Sequence, residues 1–410
     1  MTKLSQQEVM SLLIQLSVML ILGRLFAEAA RKIKQPAVVG EILAGIILGP
    51  TILGMINPEW FQGLFPTGTS SLVLDGFVQV AVVMLLFIAG LEVDLHIVLQ
   101  QGRQAFYTSS LGLIIPFAIG FVFPFFFPVF FGSSDGERHL AYSLFMGTSM
   151  AITALPVIAR ILMDLNIFKS RMGMLVISSA MINDLIGWLI FSVVLGMIGK
   201  EQHISIWYTV MLTVGFTVVM LTLGRGLINR GLPWVNRKLA WPGGLLSLSL
   251  ALCFLAAAFT EYIGIHAIFG AFIVGVALGD SEHLSERAKE IVHQFINNIF
   301  APLFFVAIGL KVNFIANFDL TLTLAIIAIA FAGKIIGSGW GTRLGGFSWR
   351  ESMAAAFGMN ARGAMEIILG LVALENGIIN EKVFVSLVIM ALVTSMSSGP
   401  LMKWMLRREH

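Results

Sequence analysis

Residues 172–199 read MGMLVISSAMINDLIGWLIFSVVLGMIG, an apolar run whose sole charge is Asp184, near its middle and beside Asn183. As a helix it is about 42 Å long, more than the roughly 30 Å of bilayer hydrocarbon. It therefore reads as a membrane span. A carboxylate at that depth costs at least about 2.5 to 3.5 kcal/mol on insertion scales, so an intramembrane acid reads as functional. What satisfies a buried carboxylate is a proton or a small cation.

The rest of the chain is of the same kind. Hydrophobic residues make up 57% of the 410 and charged residues 12%, where soluble domains carry about a quarter charged. With a mean hydropathy of +0.90, this is the composition of a polytopic membrane protein surrounded by lipid. The net charge of +3 comes from basic residues dispersed in short loops, without the stripe a nucleic-acid partner needs. The lone Cys253 excludes a disulfide framework and a thiolate metal cluster. GxxxxGK[ST] and HExxH are missing and the His residues are scattered. The expectation is a transporter, not an enzyme, and one without a cofactor. The first apolar run leads into Arg31, Lys32 and Lys34 rather than a small-residue cleavage site, so it reads as a span and not as a signal peptide.

Apolar stretches of about 20 residues predict thirteen spans, at 9–30, 36–55, 72–91, 105–131, 139–159, 172–199, 204–224, 243–260, 264–280, 291–310, 320–342, 352–374 and 383–402. With the N-terminus outside, nineteen of the 26 Lys and Arg residues fall in the loops or at the span ends on the cytoplasmic side, from Arg24 and Arg31 to Arg407 and Arg408; five fall on the other side and two deep within spans. That asymmetry follows the positive-inside rule and makes the C-terminus cytoplasmic. Two six-helix halves joined by the seventh span are inverted relative to each other, the usual construction of secondary transporters with interrupted helices. The expected fold is thus all-α, with about thirteen transmembrane helices in two inverted six-helix repeats and crossed broken helices.

Three other spans carry residues with chemical potential. In AYSLFMGTSMAITALPVIA (141–159), Pro156 withdraws the donor that the Ile152 carbonyl needs, so the helix is expected to kink or unwind there. Thr153 puts a hydroxyl at the break. The freed Ile152 carbonyl, Thr153 and the Asp184 carboxylate form an oxygen cage suited to an alkali cation, although a merely kinked helix is the plainer alternative. Lys334 is the only charge between Asp319 and Arg343, too deep to reach water easily, and needs an acceptor inside the bundle or must lose its proton. Gly333, Gly337, Gly341 and Gly345 beside it form a ladder that allows close helix approach. In FGMNARGAMEIILG (357–370), Arg362 and Glu366 lie four apart on one helical face and read as a structural ion pair. Asn360 and Gly363 beside them suggest a second broken helix.

Seven segments in this order resemble one family nearly end to end: QPAVVGEILAGIILGP (35–50), LLFIAGLEVDL (85–95), ITALPVIARIL (152–162), SSAMINDLIGW (178–188), IGIHAIFGAFIVG (263–275), APLFFVAIGLKV (301–312) and NARGAMEII (360–368). The chain resembles the monovalent cation:proton antiporters, in the branch that includes Kef-type potassium efflux proteins and plant cation/proton exchangers. The resemblance implies a homodimer in a cell (inner) membrane. Each transmembrane chain, 1–410, would divide into dimer or scaffold helices near 9–91 and 243–310 and a core near 105–199 and 320–402. The core moves past the scaffold carrying the ion, and it gathers Asp184, Asn183, Thr153, Lys334 and Arg362. Relatives that move net charge carry two adjacent acids where this chain has Asn183 and Asp184, and their lysine pairs with the first. Lys334 is thereby left without its family partner. Some relatives also continue into a cytosolic nucleotide-binding domain, whereas this chain ends eight residues past Met402 and is expected to hold no soluble regulatory domain.

One carboxylate that takes either a proton or an alkali cation gives obligatory exchange by competition. The expected function is exchange of Na+ or K+ for H+ by elevator-type alternating access, electroneutral at one to one. Two rivals stand beside it. One is a channel-like potassium efflux protein gated by a missing regulatory domain. The other is a sodium-coupled organic solute carrier, which needs a larger polar cavity and a second sodium site.

Overall fold

A computed structural model describes residues 4–33, 35–66, 68–94, 102–133, 139–165, 167–197 and 206–406. Lys34, Leu95, Arg407, Arg408 and the span ends 198–199 and 204–205 lie outside the described residues. Every regular element among the described residues is helical. In chain order they are α1 (Gln6–Lys32), α2 (Ala37–Leu48), α3 (Leu53–Ile56), α4 (Pro58–Leu64), α5 (Thr69–Leu91), α6 (Gly102–Phe126), α7 (His139–Ala151), α8 (Leu155–Asp164) and α9 (Arg171–Gly196). Then follow α10 (Ile206–Val219), a π turn at Met220–Gly224, α11 (Arg225–Lys238), α12 (Gly243–Tyr262), α13 (Ala267–Gly279), α14 (Glu286–Lys311), α15 (Leu320–Leu344), α16 (Trp349–Met359), α17 (Ala364–Glu375) and α18 (Glu381–Leu406). Local signals set several starts. Ser170, Ser285 and Asp319 accept from backbone N–H groups in the first turns of α9, α14 and α15, and Ser348 with Glu351 forms a capping box on α16.

Eleven described helices are long and apolar enough to cross a membrane, and the pair α16–α17, bent by 45°, makes twelve if taken as one span. The sequence predicts thirteen, and residues 264–280 account for the difference. Their helix, α13, has 13 residues, about 20 Å of rise. Gly264 turns the chain just before it at φ 84, a left-handed backbone that favours glycine. Composition alone does not separate such a short buried helix from a full span. A second difference concerns residues 225–238, read from sequence as a basic loop. They form α11, which continues α10 through the π turn and accommodates Pro233 inside the helix.

The chain folds into two compact units. The first comprises Met1–Glu92, Val218–Glu261 and Ala267–Asn317. Within it α2 packs against α1 and α14, and α5 against α13 and α14. These crossings bring backbones into contact: a Cβ at Gly45 would stand 2.2 Å from the Val306 carbonyl oxygen, and one at Gly90 2.1 Å from that of Phe272.

The second unit comprises Val93–Thr217, Tyr262–His266 and Phe318–His410. Here α15 lies along α6, α6 along α7, and α9 packs on α6, α7, α8 and α16. The glycine ladder makes the first of these contacts possible. A Cβ at Gly333 would lie 2.8 Å from Pro116 Cα, one at Gly337 2.4 Å from the Leu111 carbonyl oxygen, and one at Gly341 2.5 Å from that of Tyr107. Gly345, the fourth rung, caps the C-terminus of α15. Residues that carry chemistry in the sequence, Asp184, Thr153, Lys334 and Arg362, are all in this unit.

Candidate functional site: two broken helices around a buried acid

The span 139–164 breaks at residues 152–154, between α7 and α8. Pro156 sits in the first turn of α8, where a missing N–H has no partner to lose. The proline thus begins a new helix, and the break lies on its N-terminal side. The second break, residues 360–363, separates α16 from α17. The two breaks cap each other. Ala154 N–H donates to the Ala361 carbonyl at 2.9 Å, and the Thr153 hydroxyl donates to the Met359 carbonyl at 2.8 Å.

Breaking α7 also exposes its last carbonyls, the negative end of its dipole. Two buried cations meet them. Arg362 donates to the carbonyls of Ser149 and, at 2.7 Å, of Met150. Lys334 donates to the carbonyl of Ala151, to that of Gly112 on α6 at 3.1 Å and to the Thr153 hydroxyl at 2.8 Å. Three acceptors match the three donors of an ammonium. Lys334 is fully buried, and burying a charge costs several kcal/mol unless its donors are satisfied. With the neutral Asn183 on α9, the donors of Lys334 are met by oxygens of the broken helix and of α6. The Thr153 hydroxyl, expected from sequence to face a cation, is engaged by Lys334 and Met359.

Arg362 and Glu366 form the expected pair, Nη1 to Oε2 at 3.2 Å, with both side chains buried. Glu366 lies in the first turn of α17, where a negative charge is favoured, and accepts from the Ser149 hydroxyl. Ser395 on α18 donates to the Arg362 carbonyl. Ser149, Ser395 and the Gly112 carbonyl carried no signal in the sequence. They are ordinary helix residues until the fold brings them to a charge.

Asp184 and Asn183 are buried on α9, 1% and 0% exposed. Gly187, three residues on and so on the same face as Asp184, lets α9 approach the first break: a Cβ there would stand 2.5 Å from Ile152 Cγ1. The acid, Ile152, Thr153, Lys334 and Arg362 therefore belong to one crossing. Both amide atoms of Asn183 are buried without a hydrogen-bond partner among the described residues, and so are both amide atoms of Asn360 in the second break.

A family model described as the sodium/hydrogen exchanger transmembrane region matches residues 17–408. The chain belongs to the sodium/hydrogen exchanger family. It is 32% identical over 395 residues to the Na(+)/H(+) antiporter NhaS4 of Synechocystis, covering 95% of this chain and 96% of that protein. It is also 32% identical over 389 residues to the K(+)/H(+) antiporter 1 of Saccharomyces cerevisiae, covering 90% of this chain but 43% of the yeast protein. Among solved structures, the sodium proton antiporter MjNhaP1 of Methanocaldococcus jannaschii shares the fold, with a TM-score of 0.67 at 18% identity over 97% of each chain. As an exchanger-family member with eleven or twelve helices among the described residues long and apolar enough to cross a membrane, it is a multi-pass membrane protein.

Proposed function

We propose that this exchanger moves one monovalent alkali cation against one proton, with Asp184 as the group that holds either. The observation that carries the proposal is the placing of Asp184. It sits on the face of α9 that meets a helix break whose exposed carbonyls already have Lys334 and Arg362 as partners. Those two cations offset the charges of Asp184 and Glu366, so the crossing is neutral when both acids are ionised. Loading it with a proton or with one alkali cation adds the same single charge. The two loaded states then cross the membrane with equal electrical work, which makes the exchange electroneutral. Asn183 supports this reading, since a second acid there would add a charge that only one of the two cargoes balances.

The cation is held by Asp184 and Asn183, with Thr153 and the Ile152 carbonyl joining as Lys334 yields its place on the Thr153 hydroxyl. The proposal is for the alkali class, because the relatives named for sodium and for potassium are equally similar at 32%. Its remaining parts come from the family resemblance and from the basic loops. The second unit moves as an elevator against the first, in a homodimer of the cell membrane with the N-terminus outside and the C-terminus in the cytoplasm.

The test is exchange in proteoliposomes. Sodium, potassium or lithium gradients are imposed in turn, and proton flux is read from a trapped pH dye, with the membrane potential clamped or imposed. Cation-driven proton flux that is indifferent to potential is expected. Flux driven by potential alone, or no proton movement with any of the three cations, overturns the proposal.

A further inference from the structure

Asn360 is 1% exposed, yet neither its amide nitrogen nor its amide oxygen has a hydrogen-bond partner among the described residues. Burying an amide in that condition costs free energy, so a residue left this way calls for a ligand or a bound water. Its position is fixed from both sides. The carbonyl of Met359 before it accepts from Thr153, and the carbonyl of Ala361 after it accepts from Ala154. Asn360 is thus the residue at which the second break is tied to the first. Helix α9, which carries Asp184 and the other partnerless amide, Asn183, packs against both α16 and α8. Two amide oxygens and one carboxylate, carried by these packed elements, are hard, oxygen-only donors of the kind that replaces the hydration shell of an alkali ion.

We propose that Asn360 is a further ligand of the transported cation, its Oδ1 completing the shell begun by Asp184 and Asn183 and so setting which alkali ion is preferred. The inference rests on the exchange reading above. A neutral amide binds a cation but takes up no proton near neutral pH, so Asn360 acts on one of the two competing cargoes only. Its removal weakens cation binding and leaves the protonated state untouched.

The experiment is calorimetric titration of the full chain in detergent with LiCl, NaCl and KCl, comparing wild type with Asn360→Ala, Asn360→Gln, Asp184→Asn and Ser192→Ala. Ser192 is a buried hydroxyl on α9, also without a hydrogen-bond partner among the described residues, and serves as the control for loss of a polar group. Asn360→Ala is expected to raise the Kd of the preferred cation by about tenfold, equivalent to one good contact, and to reorder the three cations. Asn360→Gln should keep binding but shift the order, while Ser192→Ala matches wild type. If Asn360→Ala does not fold, the Gln variant decides: an unchanged order of cations overturns the proposal. So do Kd values for Asn360→Ala within about twofold of wild type for all three salts. Should wild type bind none of the cations, the exchange reading itself fails. Should Asp184→Asn abolish binding and Asn360→Ala spare it, only the present inference fails.

Discussion

Replacing Glu366 by Leu strands the guanidinium of Arg362 without its acid. Both side chains are buried, and breaking such a pair by removing one partner costs about 3–5 kcal/mol. Adding Arg362→Met removes the stranded charge. Were the two residues only an ion pair, the double variant would regain wild-type stability, since apolar replacement of a buried pair is often neutral. Arg362 has a second task, however, because it also holds the carbonyls of Ser149 and Met150 at the broken end of α7. Each buried carbonyl left without a donor costs about 1–3 kcal/mol, so the double variant stays about 2–6 kcal/mol below wild type. Chemical unfolding of the purified variants in detergent measures this. The expected order puts wild type above all three variants, with no rescue on combining them. A double variant within about 0.5 kcal/mol of wild type, the usual error of such cycles, refutes the assignment of Arg362 to the helix break.

Lys334 is expected to behave in the same way. Gln at 334 retains two donors for the carbonyls of Ala151 and Gly112, whereas Met retains none. Unfolding should therefore rank wild type above Lys334→Gln and that above Lys334→Met, and equal stability of the two variants contradicts the contacts. Gly337→Leu forces α15 away from α6, where a Cβ already meets the Leu111 carbonyl at 2.4 Å. Overpacking of this kind costs about 1–3 kcal/mol, and thermal unfolding of the variant against Gly76→Ala reads it. Nothing lies within 4 Å of a Cβ at Gly76 in α5, so that control should match or exceed wild type.

The sequence is most informative where the physics is local. Pro156 announces a break because one missing donor acts within one turn, although the break falls just before it and the proline starts α8. Arg362 and Glu366 are legible as a pair through helical spacing, and the glycine ladder through its four-residue period. Seven family segments make the all-helical antiporter fold legible as well, and the match to residues 17–408 agrees. What the sequence withholds is long-range. The acceptors of Lys334 come from positions 112, 151 and 153, distant in sequence and mostly backbone, and no side-chain pattern marks a carbonyl that a broken helix exposes. The ends of α13 are hidden for another reason, since an apolar run measures hydrophobicity and not helix length. Residues 225–238 carry Gly, Pro and Arg, which read as a loop until packing holds them in α11.

A single carboxylate shared by proton and cation is the central claim, and counting protons released on cation binding tests it most directly. Purified protein in weakly buffered detergent is titrated with NaCl or KCl while the pH is followed. Wild type should release up to one proton for each cation bound, and Asp184→Asn should release none. Cation binding without proton release at every starting pH, or undiminished release from Asp184→Asn, contradicts the account.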